Sequence, residues 1–197
     1  MKRIGLTGGI GSGKSTLACM LEKQGVPVLD LDALGRDLHK DAECRAALVA
    51  AFGDGILDAS GAVDRAALGR LCFADAEKTA ILNSIMHPRI WQREEEWLTV
   101  QQAPYVLIEA SVLIESGGAS RMDAVVVVLA NEKARRQRVI LQRGMDEKQF
   151  KAILARQCDD DARREAADFI VENNADLSAL QQSAAGLHRQ LLALSEA

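Results

Sequence analysis

The sequence predicts an α/β protein, a three-layer α/β/α sandwich built on a parallel, doubly wound, five-stranded sheet. Three observations carry this expectation. A glycine-rich loop at residues 8–16 lies between a short strand-like segment and a helical one. Residues 105–109 and 124–129 are near-continuous apolar runs of strand length, the pattern of strands buried on both faces under helices. Strand-like and helix-like segments alternate along the chain, and ligands of such sheets sit at the carboxyl ends of the strands. With 197 residues the chain suits a single domain over 1–197, with a helical insertion at about 33–100 and a lid at about 136–165.

The elements follow in order. Residues 2–7, with Ile4 and Leu6, form the first strand; residues 14–24, apolar at Leu17, Ala18, Met20 and Leu21, form a helix that Gly25 stops. Residues 26–30 are a second short strand. Helices are expected at 33–39, 41–52, 64–73, 75–86 and 87–100, with Asp41, Asp64 and Asp75 as N-caps and Pro88 at the first position of the last. After the strands at 105–109 and 124–129 comes an arginine-rich helical stretch over 131–167, then a strand at 169–171 and a closing helix over 176–194.

Composition narrows the function classes. The chain is 48% apolar and 26% charged, as a globular protein is, and its net charge of −4 and 4% aromatic content argue against a nucleic-acid partner. No apolar run approaches 18 residues and the N-terminus enters a strand directly, so neither a signal peptide nor a membrane span is expected, and the location is read as cytoplasmic. Cys19, Cys44, Cys72 and Cys158 form no C-x-x-C pair and lie among apolar helical residues, which reads as buried thiols without disulfide or metal.

Gly8 to Thr16 satisfies G-x-x-x-x-G-K-[ST]. In such a loop the backbone N–H groups of Gly11, Ser12, Gly13, Lys14, Ser15 and Thr16 cradle phosphate oxygens, the lysine reaches the β- and γ-phosphates, and the Ser15 hydroxyl can bind Mg²⁺. Asp30 and Asp32 stand two apart at the end of the second strand, on one side if the backbone stays extended. Asp32 can serve there as acceptor of a hydroxyl proton, or as cap of a helix beginning at Ala33. Glu109 ends the third strand, where a carboxylate can hold Mg²⁺ through water. Arg135, Arg136, Arg138, Arg143, Arg156, Arg163 and Arg164 crowd one region. One or two of them can fold over the transferring phosphate, and the rest read as a solvated face.

These residues together resemble the dephospho-coenzyme A kinases, a P-loop small-molecule kinase family. The resemblance runs from about Lys2 to Asn174. It includes the loop itself, Val28-Leu29-Asp30-Leu31-Asp32, Asp64-Arg65-Ala66-Ala67-Leu68, His87-Pro88-Arg89-Ile90, Gln137-Arg138-Val139, Ile153-Leu154-Ala155-Arg156-Gln157 and Ala167-Asp168-Phe169-Ile170. Three departures stand out: Ser111 where the family has proline, Glu109 where it often has Asp, and Ala175 where glycine is usual. The resemblance implies the P-loop nucleoside-triphosphate-hydrolase fold, ATP as co-substrate with Mg²⁺, and phosphorylation of the ribose 3′-hydroxyl of dephospho-coenzyme A. It implies Asp32 as base, Lys14 and Arg138 as catalytic cations, and an acceptor site that includes Asp32, Arg65 and the His87 region. Arg143 falls near a second lid arginine. A monomer or small homo-oligomer with small-molecule partners is expected. The alternatives are a kinase of another small acceptor, such as a nucleotide or shikimate, and a nucleotide-dependent switch. Asn131-Glu132-Lys133-Ala134 lacks the N-K-x-D that a guanine switch carries after a late strand.

Overall fold

The structure is a computed structural model and describes residues 1–73, 75–142, 144–155 and 157–196. The strands are β1 (Lys2–Gly8), β2 (Val28–Asp30), β3 (Tyr105–Glu109), β4 (Ala124–Leu129) and β5 (Phe169–Glu172). The helices are α1 (Lys14–Glu22), α2 (Leu31–Leu38), α3 (Ala42–Phe52), α4 (Arg65–Phe73), α5 (Ala76–Leu98), α6 (Glu132–Arg136), α7 (Glu147–Leu154), α8 (Asp160–Glu165) and α9 (Leu177–Glu196), with α6 running on as a π-helical turn over Gln137–Leu141. The chain divides into two compact units, Met1–Asp30 with Gln101–Ala197, and Leu31–Val100.

The first unit holds an all-parallel sheet in the order β2-β3-β1-β4-β5. β1 is central, and β3 and β4 on either side of it are buried along their whole length. Unbroken apolar runs are what two covered faces require. Leu17, Ala18 and Leu21 of α1 and Leu180, Ala184, Leu187 and Leu191 of α9 pack with Ile4, Leu6, Leu107, Val126 and Val128 into one core. The strand order reverses between β3 and β1, and there the chain leaves β1 to form the glycine-rich loop.

The second unit is helical, with its own core of Leu38, Cys44, Leu48, Ile56, Leu68, Cys72 and Met86. Its caps follow the sequence: the side chains of Asp41, Asp64 and Asp75 accept from Cys44 N–H, from Ala66 and Ala67 N–H, and from Glu77 and Lys78 N–H.

Three expectations are corrected. The helices expected at 75–86 and 87–100 are one, α5, with Pro88 inside it. A proline there removes one helical donor and crowds the preceding turn. The carbonyl that loses its donor is that of Ser84, four residues before Pro88, and one residue on the Arg89 guanidinium donates to the Ile85 carbonyl at 2.8 Å. Second, α2 begins at Leu31, so Asp32 lies within its first turn; it neither continues the strand beside Asp30 nor precedes a helix starting at Ala33. The helical turn begins one residue after β2 ends, and strand alternation no longer applies. Third, all four cysteines are free thiols, but only Cys44 and Cys72 are buried; Cys158 is half-buried, and Cys19 is exposed because α1 turns Leu17, Ala18 and Leu21 to the core instead.

Candidate active site

The glycine-rich loop closes through two residues that need their glycine. Gly11 has φ +74° and Gly13 φ +101°, the left-handed region that side chains rarely adopt. A Cβ on Gly11 would stand 2.7 Å from the Arg135 carbonyl, and one on Gly13 would collide with the Asn173 carboxamide. Gly13 also stands as the N-cap of α1 without any side-chain cap, so the first N–H groups of that helix face the loop's interior unopposed by a local acceptor. The resulting cradle, lined by Gly8 to Ser15 with Ser111, Ile153 and Gln157, encloses about 220 Å³. The buried Ser12 hydroxyl in this wall has no hydrogen-bond partner among the described residues. Uncapped helix N–H groups, an orphaned hydroxyl and left-handed glycines suit a phosphate chain.

Glu109 is the hub of the reactive end. It is 4% exposed, and one of its oxygens accepts from Lys14 Nζ at 2.7 Å and from Ser15 Oγ at 2.6 Å. The register explains its place: Leu6 of β1 and Asp30 of β2 both lie opposite Glu109 on β3, so the carboxyl ends of three strands meet there. Among the described residues no group of three or more His, Cys, Asp or Glu could hold a metal by itself. The adjacent Ser15 hydroxyl and Glu109 carboxylate instead offer hard oxygens of the kind Mg²⁺ takes when phosphates complete its shell, and so they fit that ion.

The arginines sort by what they touch. Arg138 donates from Nη1 to the carbonyls of Gly11 (3.3 Å) and Ser12 (3.2 Å), and from Nη2 to the Asn173 carbonyl (2.9 Å). It lines a second hollow of about 310 Å³ together with Thr16, Gln142, Asn173, Ala175 and Asp176. Arg135 and Arg163, both buried, share the single carboxylate of Asp160 at 3.4 and 2.7 Å and lie against the backbone of Gly9. Two guanidiniums against one carboxylate leave net positive charge behind the cradle, which favours an anion within it. Arg136 and Arg164 are exposed and pair with Glu147 and Glu172, the solvated-face role. Arg143 and Arg156 lie outside the described residues.

Asp32 follows β2 by two residues and opens the helical unit. Arg65 begins α4 of that unit, and His87 lies midway along α5 with its ring centroid 5.7 Å from that of Trp91. Burial lowers the pKa of His87. Burial and then the charge of Arg65 lower that of His39. Both shifts favour the uncharged imidazole. The structure thus brings Gly11 to Thr16, Lys14, Ser15, Glu109 and Arg138 together in the first unit, and carries Asp32, Arg65 and His87 on the second.

Three contributors have no assigned role in the sequence reading, although Gln157 stands in one of the resembling segments. Asn173, at the end of β5, donates through Nδ2 to the Ser12 carbonyl at 2.7 Å and, with Arg138, holds the loop from outside. Gln157 accepts from the Ile10 N–H. Asp160 joins Arg135 to Arg163. Each acts through tertiary contact, between residues far apart in the chain.

Comparison with known proteins agrees with this geometry. The model of the dephospho-CoA kinase family matches residues 2–179. A dephospho-CoA kinase from Corynebacterium glutamicum is 39% identical over 196 residues, covering 98% of each chain. The crystal structure of TT1252 from Thermus thermophilus superposes with TM-score 0.87 at 33% identity, covering 96% of this chain and 97% of that one. Dephospho-CoA kinase from Campylobacter jejuni has the same fold, with TM-score 0.68 at 22% identity and 96% of each chain covered. The family model over residues 2–179 and a relative 39% identical over nearly the whole length identify the chain as a member of the dephospho-CoA kinase family.

Proposed function

We propose a division of labour for the reaction of this family, transfer of the γ-phosphate of ATP to the ribose 3′-hydroxyl of dephospho-CoA, giving CoA and ADP in the final step of CoA biosynthesis. The backbone of Gly11 to Thr16 holds the phosphates of ATP, and Lys14 leaves Glu109 to follow the charge that builds on the transferring group. Ser15, with Glu109 through water, would hold Mg²⁺, which would neutralise phosphate charge. Asp32 accepts the proton of the attacking hydroxyl and orients it. Arg138 is read as a clamp on the loop, bonded as it is to two of the loop's carbonyls, with the hollow beside it taking the nucleoside of ATP. The helical unit over residues 31–100 is the acceptor-binding insertion in one kinase domain, with Arg65 as its cation and the His87 region as an uncharged wall; residues 136–165 form the lid. All these roles are filled from one chain, so the working unit is a monomer, or one protomer of a small homo-oligomer, acting in the cytoplasm on small molecules.

The single observation that carries this reading is the Lys14–Glu109–Ser15 cluster at the mouth of a phosphate-shaped cradle. It is tested by ADP release from ATP and Mg²⁺ with dephospho-CoA, AMP, shikimate or no acceptor. Release is expected to be fast with dephospho-CoA alone; equal rates without acceptor would point to a hydrolytic switch, and a preference for AMP or shikimate to a different kinase.

A further inference from the structure

We propose that Gln157 is a positioning residue for the phosphoryl transfer, its carboxamide locking the return limb of the lid to the phosphate cradle. The inference rests on the kinase reading above and adds a residue to which that reading gives no part. Ile10 is the third residue of the glycine-rich loop, and its N–H is one of the groups that can face phosphate. In the structure it donates to Gln157 Oε1 at 2.9 Å, across 147 residues of chain. The other end of the same carboxamide donates from Nε2 to the Ser111 carbonyl at 3.2 Å.

A carboxamide is a rigid plane with an acceptor at one corner and donors at the other, so it can satisfy both walls at once and thereby fix their separation. An ionised glutamate cannot donate, methionine offers only a weak sulfur acceptor and no donor, and asparagine is one methylene short.

The surrounding chain makes this contact a joint. Gln157 follows α7, and its own N–H bonds back to the carbonyls of Ile153 and Leu154. The next residue, Cys158, donates its N–H to Glu115 Oε1 at 2.8 Å, a second tether to the segment after β3. Asp159 then caps α8 through the Ala162 N–H. α7 therefore ends on a clamp whose three anchor points are the loop, Ser111 and Glu115, and Ile153 from the same helix lines the cradle. Movement of the lid is transmitted to Ile10 through Gln157. Placement of reacting groups responds steeply to small displacements, so loosening this joint slows the chemistry more than it weakens ATP binding.

The test compares Gln157→Met with the full-length wild type on dephospho-CoA, measuring turnover per folded molecule at saturating substrates and the Kd for ATP by calorimetry. We expect turnover at least fivefold lower with the Kd changed less than threefold. A turnover loss under fivefold would show that the joint is only structural. A rise in Kd as large as the turnover loss would make Gln157 a plain binding group, and a lowered Kd would make its carboxamide a competitor for the phosphate site; each of these overturns the proposal. Should Gln157→Met not fold, Gln157→Asn is read by the same limits. Failure of the wild type to phosphorylate dephospho-CoA would strike the kinase reading itself, and Gln157 would then be judged by the same limits on ATP hydrolysis.

Discussion

Replacing Lys14 by alanine is expected to cut turnover by on the order of 10²- to 10³-fold, the value of one positioned donor to developing charge, about 3 to 4 kcal/mol. The ammonium lies 2.7 Å from Glu109 at the cradle mouth and packs no apolar core, so little of the fold depends on its stem. Its loss has a second effect. Glu109 is buried and would keep, among the described residues, only the Ser15 hydroxyl as a hydrogen-bond partner, and a buried carboxylate stripped of its cation destabilises the protein. Lys14→Ala should therefore melt at lower temperature, and Lys14→Ala/Glu109→Gln should regain much of that stability while remaining inactive. Recovery of turnover along with stability would show that Lys14 serves the fold alone. In the same assay Arg138→Ala should raise the KM for ATP and lower kcat together, as expected of a clamp on Gly11 and Ser12. An effect confined to kcat would instead put this guanidinium on the transferring phosphoryl group.

Asp32→Asn is expected to lower kcat by roughly 10²- to 10⁴-fold, the span of a positioned general base, with the KM for either substrate little changed. Asparagine keeps the shape and polarity of the side chain and removes only its charge and basicity. A charge in the first turn of α2 also favours the helix, by about 0.3 to 1 kcal/mol at an exposed site, so a small fall in melting temperature accompanies the loss. If melting falls while the folded fraction turns over normally, Asp32 belongs to the helix and the proton leaves by another route.

What the sequence made legible was whatever is local. The apolar runs at 105–109 and 124–129 can hardly be anything but covered strands, and both are found within those bounds. Asp41, Asp64 and Asp75 cap because a short acidic side chain before a helix reaches the N–H groups two or three residues on, and that geometry needs no tertiary help. The phosphate loop is legible because its own left-handed backbone at Gly11 and Gly13 demands glycine, although distant residues hold it in place. Pro88 lies inside α5 because its local preference for a helix start is outweighed by burial of Met86 and Leu98 on either side of it. That the backbone at Asp32 is helical and not extended is not legible in the sequence, because an alternating pattern says nothing about where a three-residue strand ends. Gln157 and Asn173 reach the loop across 147 and 161 residues, and no periodicity along the chain encodes such a meeting. The arginine region was legible as a cluster but not as individuals. Burial beside Gly9 separates Arg135 and Arg163 from Arg136 and Arg164, and burial is decided by the folded neighbours.

The central claim is that this chain phosphorylates dephospho-CoA and uses the non-reacting part of that acceptor to organise the transfer. Binding energy from a remote arm can be realised in the transition state, raising turnover as well as lowering KM. The most direct measurement is turnover at saturating acceptor, with dephospho-CoA set against adenosine and AMP under the same ATP and Mg²⁺. Turnover on the truncated acceptors is expected to stay far below that on dephospho-CoA however much of them is added; equal saturated turnover on adenosine and dephospho-CoA would contradict it and make the protein a nucleoside kinase.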